Sequence, residues 1–162
     1  MYFRVAILLG FTAFSALSVG AQATRGTAPI VHTAADLLAL EAKLTAAAKT
    51  VPVGVAVAPL DNFGTYSSLL IVRVRTGEAE QHDSWADQMI VQKGSLILVS
   101  GGSMVGEHVL ADQPSERRGT SLTGGKELVL HAGDVVHIPA GLPHWVKLAP
   151  GASTTYLVFK EK

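Results

Sequence analysis

The sequence predicts an all-β fold, a sandwich or a barrel, preceded by a single α-helix. Beyond residue 53 the apolar side chains recur at every second position, which is the period of a half-buried strand. Glycine and proline, with 16 and 7 residues in the chain, separate the apolar runs and supply the turns. Eight runs are predicted as strands: 53–58, 66–76, 87–92, 96–100, 127–131, 134–139, 144–148 and 154–159.

The helix is predicted over residues 34–49. Thr33 can cap its first turn, and Asp36 follows three residues later, as in a capping box. Leucines then recur at helical spacing. Pro52 ends the segment, because proline disfavours helix in the residue before it. We expect this helix to pack against the β-domain or a partner subunit.

The first 23 residues have the pattern of a secretory signal peptide. Arg4 gives a positively charged start, 5–20 is an apolar run without charge, and Ala21 and Ala23 are the small residues that a signal peptidase accepts. An uncleaved membrane anchor would need about 20 apolar residues followed by basic ones. We therefore expect cleavage after Ala23 and a secreted or periplasmic protein without a stable membrane anchor. The predicted organisation is a signal peptide, a leader with the helix, and a β-domain: 1–23, 24–50 and 51–162.

The composition excludes several classes of function. The chain has no cysteine, which excludes disulfides, thiol catalysis and zinc or iron–sulfur sites held by cysteine. Its 13 basic and 13 acidic side chains balance, whereas a nucleic-acid-binding protein needs a basic surface. No nucleic-acid partner is therefore expected.

Residues 133–145 have the pattern of a strand, a rigid turn and the start of another strand. Gly133 precedes a short β-prone run that Pro139 ends, Gly141 permits a tight reversal, and His144 opens the next run. A histidine on such a corner is held toward a cavity. The spacing of these four residues resembles the second motif of the cupin superfamily. The resemblance covers about 66–159 and implies a small jelly-roll β-barrel in which His144 binds a metal.

The first cupin motif is a glycine, five residues, His-x-His, three or four residues, a glutamate, six residues and a glycine. In this chain four residues separate Gly77 from His82, Ser84 stands at the position of the second histidine, and Asp87 stands at that of the glutamate. The resemblance therefore implies a metal site of His82, Asp87 and His144. The strand period places Ser84 on the face of His82, toward the cavity. His82 and Asp87 meet only if a turn or bulge separates them.

Two histidines and one carboxylate suit a divalent metal ion, with iron, manganese and zinc as the candidates. The resemblance implies an exported single-domain cupin with a small-molecule pocket that holds such an ion. Oxidation, isomerisation or decarboxylation of a small oxygenated substrate is the implied chemistry. The alternative is a non-catalytic cupin that binds or senses a small molecule, in which Ser84 marks a degenerate metal site. A homodimer is the assembly that the resemblance implies.

Two further side chains have competing interpretations. His137 lies in the middle of a predicted strand and is either a fourth ligand, a partner of a ligand or, as we favour, a strand histidine whose hydrogen bonds are satisfied. Arg73 would be able to bind a substrate carboxylate if its face of the strand pointed inward. The better core stripe lies on the opposite face, with Leu70 and Val72, so we expect Arg73 to point outward.

Overall fold

Residues 28–162 are described by the computed structural model of the chain. Strands make up 54% of these residues and one helix precedes them, so the predicted all-β class with an N-terminal helix is confirmed. The predicted signal segment 1–23 and the first residues of the predicted leader lie outside the described residues. Among residues 28–162, no helix is both long enough and apolar enough to cross a membrane.

The helix and strands are numbered in chain order. They are α1 (Ala34–Thr50), β1 (Val55–Asn62), β2 (Tyr66–Arg73), β3 (Ala79–His82), β4 (Ala86–Ser100), β5 (Ser103–Val105), β6 (His108–Leu110), β7 (Gln113–Gly119), β8 (Ser121–Thr123), β9 (Lys126–His131), β10 (Val135–Ile138), β11 (His144–Lys147) and β12 (Thr154–Glu161).

Helix α1 begins and packs as its sequence predicts. The Asp36 amide donates a hydrogen bond to the Thr33 hydroxyl at 3.2 Å, and the Thr33 amide donates one to the Asp36 carboxylate at 3.1 Å, which completes the capping box. Leu44 and Ala48 are buried in a cluster with Leu70 and other residues of β1 and β2. The helix therefore covers one face of these strands and leaves the other face to the interior.

The strands form one curled antiparallel sheet, with β5 and β8 paired separately. The first half of β4 lies between β12 and β10, and its second half lies between β11 and β9. Strands β2 and β1 continue the sheet beyond β12, while β3, β7 and β6 continue it beyond β11. The larger apolar cluster fills the inside of the curl and comprises Met89, Val91, Leu96, Leu98, Leu130, Ile138, Val146, Tyr156 and Val158.

The sequence predicts the apolar strands of the structure and misses the polar ones. The eight predicted runs fall on β1, β2, β4 and β9 to β12, and the runs 87–92 and 96–100 are the two halves of one bent strand. Strand β3 was not predicted, because its sequence Ala-Glu-Gln-His has no apolar alternation. Its inner face forms the polar wall of a cavity and does not face the apolar core. Strands β5, β6 and β8, of three residues each, and the polar strand β7 were missed as well.

The expectation that Arg73 points outward is wrong. Leu70 and Val72 are buried beneath α1, as the apolar stripe predicts, but Arg73 on the opposite face is only 6% exposed. The physical reason is that β2 is covered on both faces, by the helix on one side and by the interior of the curl on the other. A period of two cannot tell which of two buried faces holds the cavity.

Gly94 lies where β4 passes from one half of the sheet to the other. Its φ is +77°, and a Cβ at this position would lie 2.2 Å from the Ser153 carbonyl oxygen. The register between β12 and β4 also shifts here, between Thr155 and Tyr156. The bend therefore requires glycine both for its backbone conformation and for the close approach of β12.

Replacing Gly94 by alanine should destabilise the protein more than replacing Gly64 by alanine. Both residues have positive φ, +77° and +84°, so either alanine adds backbone strain of about 1–2 kcal/mol. No atom lies within 4 Å of a Cβ at Gly64, whereas the Ser153 oxygen blocks the one at Gly94. In urea denaturation we expect Gly94→Ala to lose roughly 1–3 kcal/mol more than Gly64→Ala. Equal losses would contradict the close contact at the bend.

Candidate metal centre

Strand β3 lies between β11 and β7, and Glu80 and His82 share its inner face. In the antiparallel register Glu80 lies opposite both His144 of β11 and Arg118 of β7, while His82 lies opposite Glu116 of β7. Directly opposed residues have Cβ atoms about 4.5–5.5 Å apart. The pairing of three short strands therefore gathers five polar side chains, all of which line one cavity.

The turn before β11 holds His144 as the sequence predicts. Gly141 adopts a φ of +76°, and its amide donates a hydrogen bond to the His82 carbonyl at 2.8 Å, so the turn is fastened to the end of β3. The His144 side chain is 2% exposed. Its Nδ1 lies 3.1 Å from the Leu142 carbonyl oxygen, an acceptor that assigns the proton to Nδ1 and leaves Nε2 with its lone pair.

His82, Asp87 and His144, the three predicted ligands, come together in the structure. A bend at 83–85 separates β3 from β4, which supplies the turn that the odd spacing of His82 and Asp87 requires. His82 Nε2 lies 3.2 Å from Asp87 Oδ2, and His144 Nε2 lies 4.0 Å from the same oxygen. The two imidazole centroids are 5.2 Å apart.

Glu80 belongs to this cluster and was missed in the sequence. One donor atom from each of Glu80, His82 and His144 lies within 4.8 Å of the other two. The signal was present: Glu80-Gln81-His82 fits the His-x-His element with glutamate as its first member. His82 is then followed by four residues, Asp87, six residues and Gly94, which is the spacing of the first cupin motif from its second histidine onward. His82 therefore occupies the position of the second histidine, and the expectation that it is the first is wrong.

The expectation that Ser84 faces the cavity is therefore wrong. Ser84 is exposed in the bend between β3 and β4, because β3 ends at His82 and the strand period does not continue past it. His137 is also exposed, opposite Gln88 in the pairing of β10 with β4. Its neighbour Ile138 is the residue that is buried, so His137 does not reach the cluster.

Asp87 has a second partner on β12. Lys160 lies opposite Asp87 in the antiparallel register, and its Nζ donates a hydrogen bond to Asp87 Oδ1 at 2.5 Å. Oδ2 of the same carboxylate faces His82. The Asp87 side chain is 6% exposed and that of Lys160 is 16% exposed, so this pair is largely withdrawn from water.

The two histidines have opposite charge preferences. Burial alone would lower the pKa of His82, but hydrogen bonds to Asp87 at Nε2 and to Glu116 at Nδ1 raise the pKa to about 9. Burial lowers the pKa of His144 and outweighs the nearby charge of Glu80. In the metal-free protein at neutral pH, His82 is therefore an imidazolium between two carboxylates, and His144 is neutral.

The carboxylates of the cluster are ionised. Burial would raise the pKa of Glu80, but the interaction with His144 and the permanent charges of Arg118 and Arg73 lower the pKa to about 2. For Asp87, burial is likewise outweighed by the hydrogen bond with His82 and the charge of Lys160, and the pKa is about 2. Both side chains therefore present anionic oxygens to the cavity at any pH near neutrality.

Arg73 forms an ion pair with Glu80. Its Nη2 lies 3.9 Å from Glu80 Oε1, and its Nε donates a hydrogen bond to the Tyr156 hydroxyl at 3.2 Å. A Cβ on Gly77 would lie 1.8 Å from Arg73 Nη1, so the guanidinium occupies space that only glycine leaves open. The indole of Trp145 donates a hydrogen bond to the Gly77 carbonyl at 2.6 Å, which holds this segment against β11.

The cavity beside the cluster has a volume of about 390 Å³. One wall is formed by β3, β7 and β11 and is polar, with the five side chains described above. The opposite wall is formed by β2, β4 and β12 and is mostly apolar, with Leu69, Ile71, Met89, Tyr156 and Val158, and with Asp87 and Lys160 at one end. The cavity therefore offers different surfaces to the two sides of a bound molecule.

The donor set fits a divalent metal ion. Ligand atoms about 2.1 Å from a shared ion lie about 3.0–3.4 Å from each other, and His144 Nε2 is 3.7 Å from Glu80 Oε1. The group Glu80, His82 and His144 could thus hold an ion after small side-chain movements. Without an ion, His82 is held by Glu116 and Asp87, whereas the oxygens nearest to His144 Nε2 lie 3.7 and 4.0 Å away.

The free energy of unfolding of the metal-free protein should fall as the pH rises from about 6.5 to about 9. In this range an unfolded histidine has lost its proton, whereas folded His82 retains it, so the folded state binds more protons and is destabilised by rising pH. The shift corresponds to about 3 kcal/mol at most. Urea denaturation in the presence of EDTA measures the change.

One variant should change this pH dependence, and a second variant is its control. Glu116→Gln removes one of the two anionic acceptors of His82, so the decline should become smaller and begin at lower pH. His137→Gln removes an exposed histidine and should leave the profile as in the wild type. A flat wild-type profile between pH 6.5 and 9 would contradict the placement of His82 between two carboxylates.

Neither a protein-family model nor a curated protein sequence matches this chain. Among solved structures it is similar to oxalate oxidase, with a TM-score of 0.50 and 21% sequence identity over 70% of this chain and 53% of that chain. The same values apply to oxalate oxidase in complex with the substrate analogue glycolate. It is also similar to FeII HppE, with a TM-score of 0.50 and 11% identity over 65% of this chain and 50% of that chain.

This chain spans about half of the length of these proteins, and at such identities the likeness concerns the fold alone. Both neighbours are cupins. Their jelly-roll architecture agrees with the curled antiparallel sheet and with the strand–turn–strand segment that presents His144. The expected fold is therefore confirmed: this chain has a small cupin jelly-roll fold with one N-terminal helix.

Proposed function

We propose that this chain is an exported, metal-dependent cupin that binds one divalent ion and acts on a small oxygenated molecule in the adjacent cavity. One observation carries the proposal. Two imidazoles and a carboxylate, Glu80, His82 and His144, converge on one buried wall of a 390 Å³ cavity. Three protein ligands of this kind suit divalent iron, manganese or zinc and leave coordination positions open.

The chemistry of such an ion, when bound, is to polarise a substrate oxygen or to activate dioxygen, which supports oxidation, isomerisation or decarboxylation. The chain's own residues orient the donors. The Leu142 carbonyl fixes the tautomer of His144, and Glu116 accepts the Nδ1–H of His82, so both Nε2 atoms are directed to the cavity. Partners of this kind commonly orient metal-binding histidines.

The carboxylates have distinct tasks in this proposal. Glu80 replaces Asp87 in the set of three ligands expected from the sequence. Arg118 Nη2 lies 3.4 Å from Glu80 Oε2. The other oxygen, Oε1, faces His144, whose Nε2 is 3.7 Å away. Asp87 adds a fourth donor through Oδ2, which lies 3.2 Å from His82 Nε2, while Lys160 keeps Oδ1.

A second candidate function is non-catalytic binding of a small molecule without a metal. The observation that favours it is that His82, as an imidazolium, already satisfies Asp87 and Glu116. A metal-free site of this kind would bind an organic molecule through its charged side chains and its apolar wall.

Metal titration separates the two functions. We expect protein prepared without a His-tag to bind one equivalent of Fe²⁺, Mn²⁺ or Zn²⁺. Glu80→Gln should weaken metal binding by roughly 100-fold, because it replaces an anionic ligand by a neutral side chain of equal size. Equilibrium dialysis with elemental analysis gives both the stoichiometry and the affinity.

Ser84→Ala is the matched control, because Ser84 is exposed outside the cavity and its loss should leave the metal affinity unchanged. The absence of stoichiometric metal from the wild type would defeat the proposal. Stabilisation by small organic acids in the presence of EDTA would then support the second candidate.

A further inference from the structure

We infer that the cavity takes a small carboxylate with an apolar body. The carboxylate lies at the end where Lys160 meets Asp87, and the hydrocarbon part lies against the wall of β2, β4 and β12. This inference rests on the proposed function in placing the ligand beside the metal site. Its two determinants are the apolar wall, formed by this chain's own residues, and the positive charge that a bound divalent ion would leave without partners.

The register of the strands arranges the second wall in rows. Lys160 and Asp87 lie opposite each other at one end. In the next row Val158 of β12 lies between Met89 of β4 and Leu69 of β2. A further row places Ile71 beside Tyr156. A molecule that extends from the charged end along this wall therefore meets hydrocarbon over two successive rows.

Apart from His82, the charged side chains of the site balance one another before any ligand binds. Glu80, Asp87 and Glu116 are the three carboxylates of the site. Three permanent cations pair with them: Lys160 with Asp87, Arg118 with Glu80 and Glu116, and Arg73 with Glu80. Because histidine binds a metal in its neutral form, a divalent ion would leave two positive charges without partners. Uncompensated charge in a site withdrawn from water is costly, so the loaded cavity favours an anion.

Lys160 is placed to receive this anion. Its ammonium group has three donors, and Asp87 Oδ1 takes one of them. The side chain lines the cavity from β12, and Arg118, the other cation that lines it, lies on the opposite wall close to Glu80. Arg73 follows Ile71 on the inner face of β2, but it does not line the cavity and is held by the Tyr156 hydroxyl and Glu80. Of the two cations that line the cavity, Lys160 is therefore the one on the apolar wall, and it fixes the end at which a carboxylate binds.

The cavity volume also favours a carboxylate that carries a hydrocarbon chain. Small-molecule pockets have volumes of about 300–1,000 Å³, and 390 Å³ lies within that range. A compact dianion would satisfy the charge and leave Leu69, Ile71 and Val158 without contact. A straight or branched carboxylate of several carbons satisfies the charge and covers the apolar rows.

Isothermal titration of the metal-loaded, full-length protein tests the inference with four probes: hexanoate, acetate, 1-hexanol and oxalate. Hexanoate shares its head group with acetate and its chain with 1-hexanol. We expect hexanoate to bind at least about tenfold more tightly than either, because each buried methylene adds affinity. Equal affinity of hexanoate and acetate, with or without tight binding of oxalate, would overturn the inference.

Matched variants locate the two ends of the ligand. Lys160→Met keeps the length of the side chain and should weaken hexanoate about tenfold while leaving 1-hexanol unchanged. Lys93→Met is its control, because Lys93 is exposed and pairs with Glu41 of α1. Leu69→Asn should reduce hexanoate toward the affinity of acetate, whereas Leu128→Asn, at an exposed position of β9, should not. The absence of these differences would overturn the assigned orientation.

The metal content of each sample, measured before titration, distinguishes failure of this inference from failure of the proposed function. If the protein holds metal and hexanoate has no advantage over acetate, the inference fails and the metal centre stands. If the protein holds no metal, the proposed function fails. The same comparison in EDTA then decides the inference: a tenfold advantage of hexanoate supports it, and no advantage overturns it.

Discussion

The pairing of β3 with β7 and β11 is the constraint on which the site depends. β3 has only four residues, Ala79–His82, yet its register places Glu80 and His82 opposite three polar side chains of its neighbours. A slip of one residue would turn both side chains to the other face of the sheet. Two hydrogen bonds hold this register at the end of the strand. The Gly141 amide donates one to the His82 carbonyl, and the His82 ring donates the other to the Glu116 carboxylate.

Such a polar strand is stable in the interior because its charges compensate one another. Buried carboxylates are costly unless cations and hydrogen-bond donors surround them. Here Arg73 contacts Glu80 in space that Gly77 leaves open, and Lys160 of the adjacent strand β12 holds Asp87. The same compensation keeps the carboxylates of the metal-free site ionised.

The parts of the site that were predictable from the sequence are those whose determinants are local. His144 follows a contiguous turn with glycine and proline at fixed positions, and the structure holds it as that turn implies. Glu80 was missed because the spacing admitted two placements of His82, and only the bend after β3 shows that Ser84 lies outside the strand. Arg73 was misjudged because both faces of β2 are buried.

The remaining partners lay beyond what local patterns can predict. Glu116, Arg118 and Lys160 belong to strands that meet β3 and β4 only through long-range pairing. Neither composition nor period indicates that pairing, since each of these strands is short or polar along part of its length. The fold class, by contrast, follows from the apolar alternation of the strands that surround the core.

The central claim is that Glu80, His82 and His144 bind one metal ion, and anomalous X-ray diffraction tests it most directly. In crystals grown with Zn²⁺ and measured at the zinc absorption edge, the account predicts one anomalous peak about 2.0–2.2 Å from a Glu80 oxygen and from both Nε2 atoms. A peak bound by Asp87 without Glu80, or zinc only at surface positions, would contradict it.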